Sequence, residues 1–174
     1  MSAWGALIMS FFGALFVALT MYWQLHLTGA ILALPFLGFA LIGLAAARVI
    51  RLPGTGVVVT PQAEKAIMWS SIGEGVGLFL AANIAINLHR QDLLLPAMAL
   101  VVGLHFLPIG LAAAFRPFLM LGGALILAAA AGFLLGAPAG GEVAGLAAAL
   151  ALWVASVLAV VRDRRAKLRS LAAA

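Results

Sequence analysis

"LLLPAMALVVGLHFLPIGLAAAFRP", residues 93–117, opens just after Asp92, and before Arg116 its one ionisable side chain is His105. A helix needs about 20 predominantly apolar residues to cross the ~30 Å hydrocarbon core of a bilayer. This run is long enough and is bordered by charge, so it reads as a membrane span. The same pattern recurs along the chain. It predicts spans at residues 3–23, 28–47, 66–88, 93–115, 117–135 and 143–161, followed by a basic cytoplasmic tail at 162–174. The expected fold is an all-α membrane protein with six transmembrane helices in one integral domain over residues 1–174.

Composition leads to the same class. The chain is 66% hydrophobic and 9% charged, against about 45–50% and about 25% in soluble domains. So little polar surface cannot cover a water-facing globule. The absence of cysteine rules out disulfides, iron–sulfur clusters and thiolate metal sites. The net charge of +5 comes from basic residues at span ends, where the anionic membrane surface is their natural partner; nucleic acid is not an expected partner. The start, "MSAWGALIMS", lacks the positive n-region of a signal peptide.

Charge also predicts orientation. With six spans, Arg48, Arg51, Lys65, Arg116, Arg162, Arg164, Arg165, Lys167 and Arg169 share one side, and only Arg90 lies opposite. Cytoplasmic segments carry the Lys/Arg excess, so both termini are expected in the cytoplasm, with the protein in a bacterial inner membrane. Trp4, Tyr22, Trp23 and Trp69 fall near span ends, as interfacial aromatics do.

The third span, "SSIGEGVGLFLAANIAINLHR" at residues 70–90, carries Glu74, Asn83 and Asn87. Glu74 lies nine residues beyond Lys65, or ~13 Å along a helix, near the middle of the membrane. A charged carboxylate there costs at least ~2.5 kcal/mol. It should face protein or a wet cavity, either as a functional group or as a protonated packing contact. At 100° per residue Asn83 points away from Glu74, while Asn83 and Asn87 share a face. Gly73, Gly75 and Gly77 bracket Glu74. They permit an interrupted helix of the kind that binds ions in transporters. Equally, Gly73, Gly77 and Ala81 form a small-residue stripe for close helix packing. In the fourth span, Pro108 frees a backbone carbonyl near His105. That imidazole reads either as a proton relay or as a structural hydrogen-bond donor.

His26, His89, Asp92 and Glu142 gather at the opposite loop edges and are weak candidates for a divalent-cation site, since no pair has tight motif spacing. The two halves also echo one another. "LH" at 25–26 recurs at 104–105, "PFL" at 35–37 recurs at 117–119, and "GExxGL" at 73–78 recurs at 141–146. Three spans per repeat would make an inverted 3+3 architecture.

The segment 93–117, with "GEGVGLFLAANIAIN" before it, resembles small bacterial inner-membrane proteins of uncharacterised function. The likeness covers about a third of the chain, implies six helices and supplies no activity. By size and span count the chain is also similar to the substrate-binding subunits of energy-coupling-factor importers, but no motif of that family is matched.

No Walker loop, Rossmann glycine pattern, H-E-x-x-H or G-x-S-x-G is present, so neither an enzyme nor a cofactor is expected. The leading expectation is a small-solute or ion permease using Glu74, with Asn83 and Asn87 as polar liners and His105 as a second titratable group. The alternatives are a non-catalytic subunit or assembly factor of a larger membrane complex and, more weakly, a membrane enzyme with the outer-edge metal site. A homodimer or an unlike membrane subunit are the candidate protein partners.

Overall fold

The computed structural model describes residues 2–173, so residue 174 of the expected tail lies outside it. Six helices follow in order: α1 (Ala3–Trp23), α2 (Pro35–Arg51), α3 (Pro61–Asn87), α4 (Leu94–Ala112), α5 (Arg116–Leu135) and α6 (Ala139–Ala172). Short 3-10 turns at Gly29–Ala33 and Gln91–Leu93 lead into α2 and α4. No strand occurs among the described residues. All six helical segments are long and apolar enough to cross a membrane, and the chain is a multi-pass integral membrane protein.

Boundaries follow local chemistry. Helices α2, α3 and α5 each have proline in the first turn, where its missing N–H costs nothing. Helix α3 starts five residues before the expected span because Thr60 caps it, its hydroxyl accepting from Ala63 N. It then runs unbroken through Gly73, Gly75 and Gly77 to Asn87. Helix α6 continues through the expected tail to Ala172. The tail is rich in Ala, Leu, Arg and Lys, all good helix formers. At 1.5 Å per residue α6 is about 51 Å long, so its last turns project beyond the hydrocarbon layer.

Helix α1 packs on α2 and α6, α5 packs on α4 and α6, and α3 lies outermost against α4. Lipid tails are as apolar as leucine, so transmembrane helices associate through close packing of small residues. A Cβ at Gly122 would stand 2.8 Å from the Gly103 carbonyl oxygen, so α4 and α5 touch backbone to backbone. Trp153 of α6 fills the space beside Gly13 of α1 and Gly38 of α2. Its Nε1–H donates to the Ser10 carbonyl at 3.1 Å. The buried hydroxyls of Thr20 and Ser156 donate to the carbonyls of Phe16 and Leu152 in their own helices.

One end of the bundle is tied by α6. Asp163 is buried; its carboxylate accepts from Ala3 N and Val57 N, both at 3.0 Å. Lys167 Nζ donates to the carbonyls of Ile50 and Leu52 at 2.9 Å, at the C-terminus of α2. Thr55 N donates to Ser170 Oγ. The expected solvated tail is therefore partly structural. Its side chains satisfy the N-terminus of α1, the C-terminus of α2 and the 52–60 loop, whose backbone groups would otherwise lack partners. These contacts bring the start of the chain, the long loop and the end of α6 to the end bearing most of the positive charge.

The echoed motifs occupy unlike places. His105 lies inside α4, whereas His26 sits after α1 with φ +52°. Glu74 is mid-helix in α3, whereas Glu142 is in the first turn of α6. The α5–α6 packing also has no equally extensive counterpart between α2 and α3.

Candidate functional site

Helices α3 and α4 run antiparallel in a register that sets Glu74 opposite His105 and Gly77 opposite Val101. Glu74 Oε2 lies 3.4 Å from His105 Nδ1, with side-chain exposures of 15% and 10%. Nδ1 is buried and has no hydrogen bond of good geometry, so the two groups touch without closing a bond. Gly77 makes the approach possible, because a Cβ there would stand 2.9 Å from Val101 Cγ1. The two titratable residues read separately from the sequence are thus one pair.

A cavity of about 310 Å³ reaches this pair. On α3 its wall is a single stripe of Ala63, Ile67, Ser71 and Glu74, spaced as one helical face. From Ala63 to Glu74 the stripe covers about 16 Å. The cavity therefore runs from the 52–60 loop to the carboxylate. Val57, Val58 and Val59 lie at the loop end, α4 contributes His105 and Ile109, and Arg162 of α6 also borders it. The walls are predominantly apolar, so a polar occupant finds its partners at Glu74, His105, Ser71 and Arg162.

Arg162 was legible in the sequence only as one of several tail charges. It lies 3.9 Å over the Phe115 ring, a favourable cation–π distance. Its Nη1 is buried without a hydrogen-bond partner.

The other candidates lie elsewhere. Asn83 and Asn87 are exposed on the outer side of α3, and Asn83 Nδ2 donates to Phe79 O within its own helix. Their assignment as cavity liners is corrected, since the Glu74 face turns toward α4 and the amides therefore turn outward. Within the packing stripe, Gly77 meets α4 and Ala81 is half-buried, but Gly73 is exposed with open space around it. Gly73 thus makes no packing contact among the described residues of this chain.

No group of three His, Asp or Glu side chains that could hold a metal occurs among the described residues, so the outer-edge metal site is not assembled. Asp92 is instead held by Arg90 at 2.9 Å, and that hydrogen bond, reinforced by the carboxylate's charge, raises the Arg90 guanidinium above its ordinary value. His89 occupies the left-handed position that ends α3, at φ +53°. The amides of His89 and Arg90 donate back to Ile86 O and Ala85 O, the pattern of a Schellman cap.

Comparison with protein-family models, curated proteins and solved structures gave no match. The likeness to small bacterial membrane proteins therefore gains no support, and the functional reading rests on the residues above.

Proposed function

We propose that this protein is a permease for a small solute or ion, with Glu74 and His105 together forming its protonatable centre. One observation carries the reading: the cavity beside α3 reaches both side chains. A carboxylate at this depth costs at least ~2.5 kcal/mol when charged. An imidazole and a carboxylate in contact are groups between which a proton can pass, and a passenger entering the cavity would meet them. The positive-inside rule puts the cavity's loop end in the cytoplasm, with both termini.

Proton movement is the direct test. Proteoliposomes loaded with a pH-sensitive dye are given a proton gradient, with potassium and valinomycin clamping the voltage. Wild-type protein is expected to dissipate the gradient faster than empty liposomes, and Glu74→Gln is expected to return the rate to the empty-liposome level. A Glu74→Gln rate equal to wild type at every pH overturns the assignment.

The exposed Asn83 and Asn87 favour a second reading. Amides facing lipid are unusual, and interhelical hydrogen bonds average ~0.6 kcal/mol. An unlike membrane subunit docked on the outer face of α3 would give them partners, and the chain would then be a non-catalytic component of a larger complex. Stoichiometric co-purification of a second membrane protein, lost in Asn83→Leu/Asn87→Leu, supports that reading over the first.

A further inference from the structure

A second feature lies on the far side of Arg162, between α5 and α6. An apolar groove of about 510 Å³ runs there, with Met120 and Ala124 on α5 and Ala151, Ala155 and Leu158 on α6, ending at Arg162. From Ala151 to Arg162 it covers about 16 Å, close to half of a ~30 Å hydrocarbon core, which is the depth of one leaflet. Its rims face outward, with Met120 74% and Leu158 58% exposed. At Leu158 and Arg162 the groove meets a second cleft, lined by Arg165 and Arg169. Residues 162, 165 and 169 share one helical face. The adjacent acid, Asp163, forms no salt bridge with them among the described residues; its two oxygens accept from the amides of Ala3 and Val57. Arg162 also retains a buried nitrogen without a partner.

An apolar slot one leaflet deep, closed at the membrane surface by three arginines, matches one kind of molecule in charge and in length. We propose that the α5–α6 groove binds a diacyl phospholipid with an anionic headgroup. One acyl chain lies along the Ala124–Ala155 floor, and the phosphate sits on Arg162, Arg165 and Arg169. The guanidinium supplies N–H donors in a planar fork suited to phosphate oxygens, and the partnerless Nη1 gains an acceptor. The groove shares Arg162 with the cavity at Glu74 and His105 but lies on its other side, and the proposal does not depend on a transport role.

The experiment measures lipid retention. Purified protein is equilibrated with equimolar phosphatidylglycerol and phosphatidylcholine of identical chains, then analysed by native mass spectrometry. Each arginine near a membrane surface is worth about fivefold in affinity for anionic lipid. Wild type is therefore expected to retain phosphatidylglycerol in clear excess. Arg162→Gln should cut that excess about fivefold, and Arg165→Gln/Arg169→Gln should cut it further. Arg164→Gln, outside both clefts, should leave it unchanged. Ala155→Phe, which fills the floor, should lower retention of lipid while leaving the arginines in place. Equal retention of the two lipids by wild type overturns the proposal. So does an Arg164→Gln loss as large as that of Arg162→Gln, which would mean that bulk tail charge acts alone. Displacement of the lipid by inorganic phosphate at equal concentration also overturns it, because the groove would then contribute nothing. If Arg162→Gln fails to fold, the Arg165→Gln/Arg169→Gln and Ala155→Phe arms decide the question.

Discussion

Asp163 Oδ2 accepts a hydrogen bond from the amide of Ala3 at 3.0 Å, joining the last helix to the first residue of α1. Its other oxygen holds Val57 N at the same distance. A carboxylate at a helix N-terminus satisfies an otherwise unpaired donor and opposes the positive end of the helix dipole. Asp163→Ala leaves the buried Ala3 amide unpaired, at about 1–3 kcal/mol, and removes the partner of the part-buried Val57 amide. The expected outcome is a clear drop in thermal unfolding temperature in detergent and faster proteolysis within residues 52–60. A variant with wild-type melting and wild-type loop cleavage would show that the tie carries no load.

The Glu74–His105 contact predicts energetic coupling. Groups in direct contact show interaction energies of about 0.5–3 kcal/mol in double-mutant cycles. Glu74→Gln, His105→Gln and the double variant, compared by unfolding in one detergent, are expected to depart from additivity within that range. Strict additivity would mean that the two side chains do not sense each other. Glu74→Gln by itself is expected to keep the fold, since a neutral amide costs less in hydrocarbon than a charged carboxylate.

Neighbouring glycines should behave oppositely. A Cβ at Gly122 would meet the Gly103 carbonyl oxygen at 2.8 Å, a backbone atom that cannot step aside, while Gly123 has open space. Gly122→Ala is therefore expected to destabilise by about 1–3 kcal/mol through overpacking. Gly123→Ala is expected to be neutral or to stabilise by up to about 1 kcal/mol through helix propensity. The same contrast separates Gly77→Leu, which strikes Val101, from Gly73→Ala, which strikes nothing. Similar melting within either pair would contradict the helix rotations described above.

Ala114 ends α4 with φ +46°. The amides of Ala114 and Phe115 return to Leu111 O and Gly110 O in a second Schellman cap. A Cβ is costly in this left-handed conformation and glycine avoids the cost. Ala114→Gly is expected to raise stability by about 0.5–1 kcal/mol, read as a higher melting temperature. A fall would mean that the lost methyl contacts outweigh the relieved backbone.

Topology can be checked directly because the chain has no cysteine. Single cysteines at Arg164 and at Gln91 should react with a membrane-impermeant maleimide from opposite sides, Arg164 from the cytoplasm. Labelling of both from one side would contradict the three spans, α4, α5 and α6, that separate them.

The candidate site was half legible in the sequence. Glu74 and His105 stood out because ionisable groups are costly in hydrocarbon, whatever their neighbours. Their pairing was not legible, because α3 and α4 are apolar nearly all round and a helix without a distinct polar face does not announce its rotation. That Asn83 lies opposite Glu74 followed from helical spacing, but which of the two faces meets α4 did not. Arg162, Asp163 and Lys167 were hidden inside a run of charges whose ordinary role is to face water and lipid headgroups.

What the sequence determined by itself was the class and the number of spans. Both depend on quantities local to each segment: an apolar length matched to the bilayer, and charges or breakers at its ends. Tertiary structure alone decided which face of each helix meets a partner, that α3 stands at the edge, and that α6 extends past the membrane to tie down the loop and the first helix. Those choices turn on backbone approaches at Gly77, Gly103, Gly122 and the Trp153 wedge. Helices that are apolar on every side gain similar solvation in many rotations, so only the fit of small residues against specific neighbours selects one.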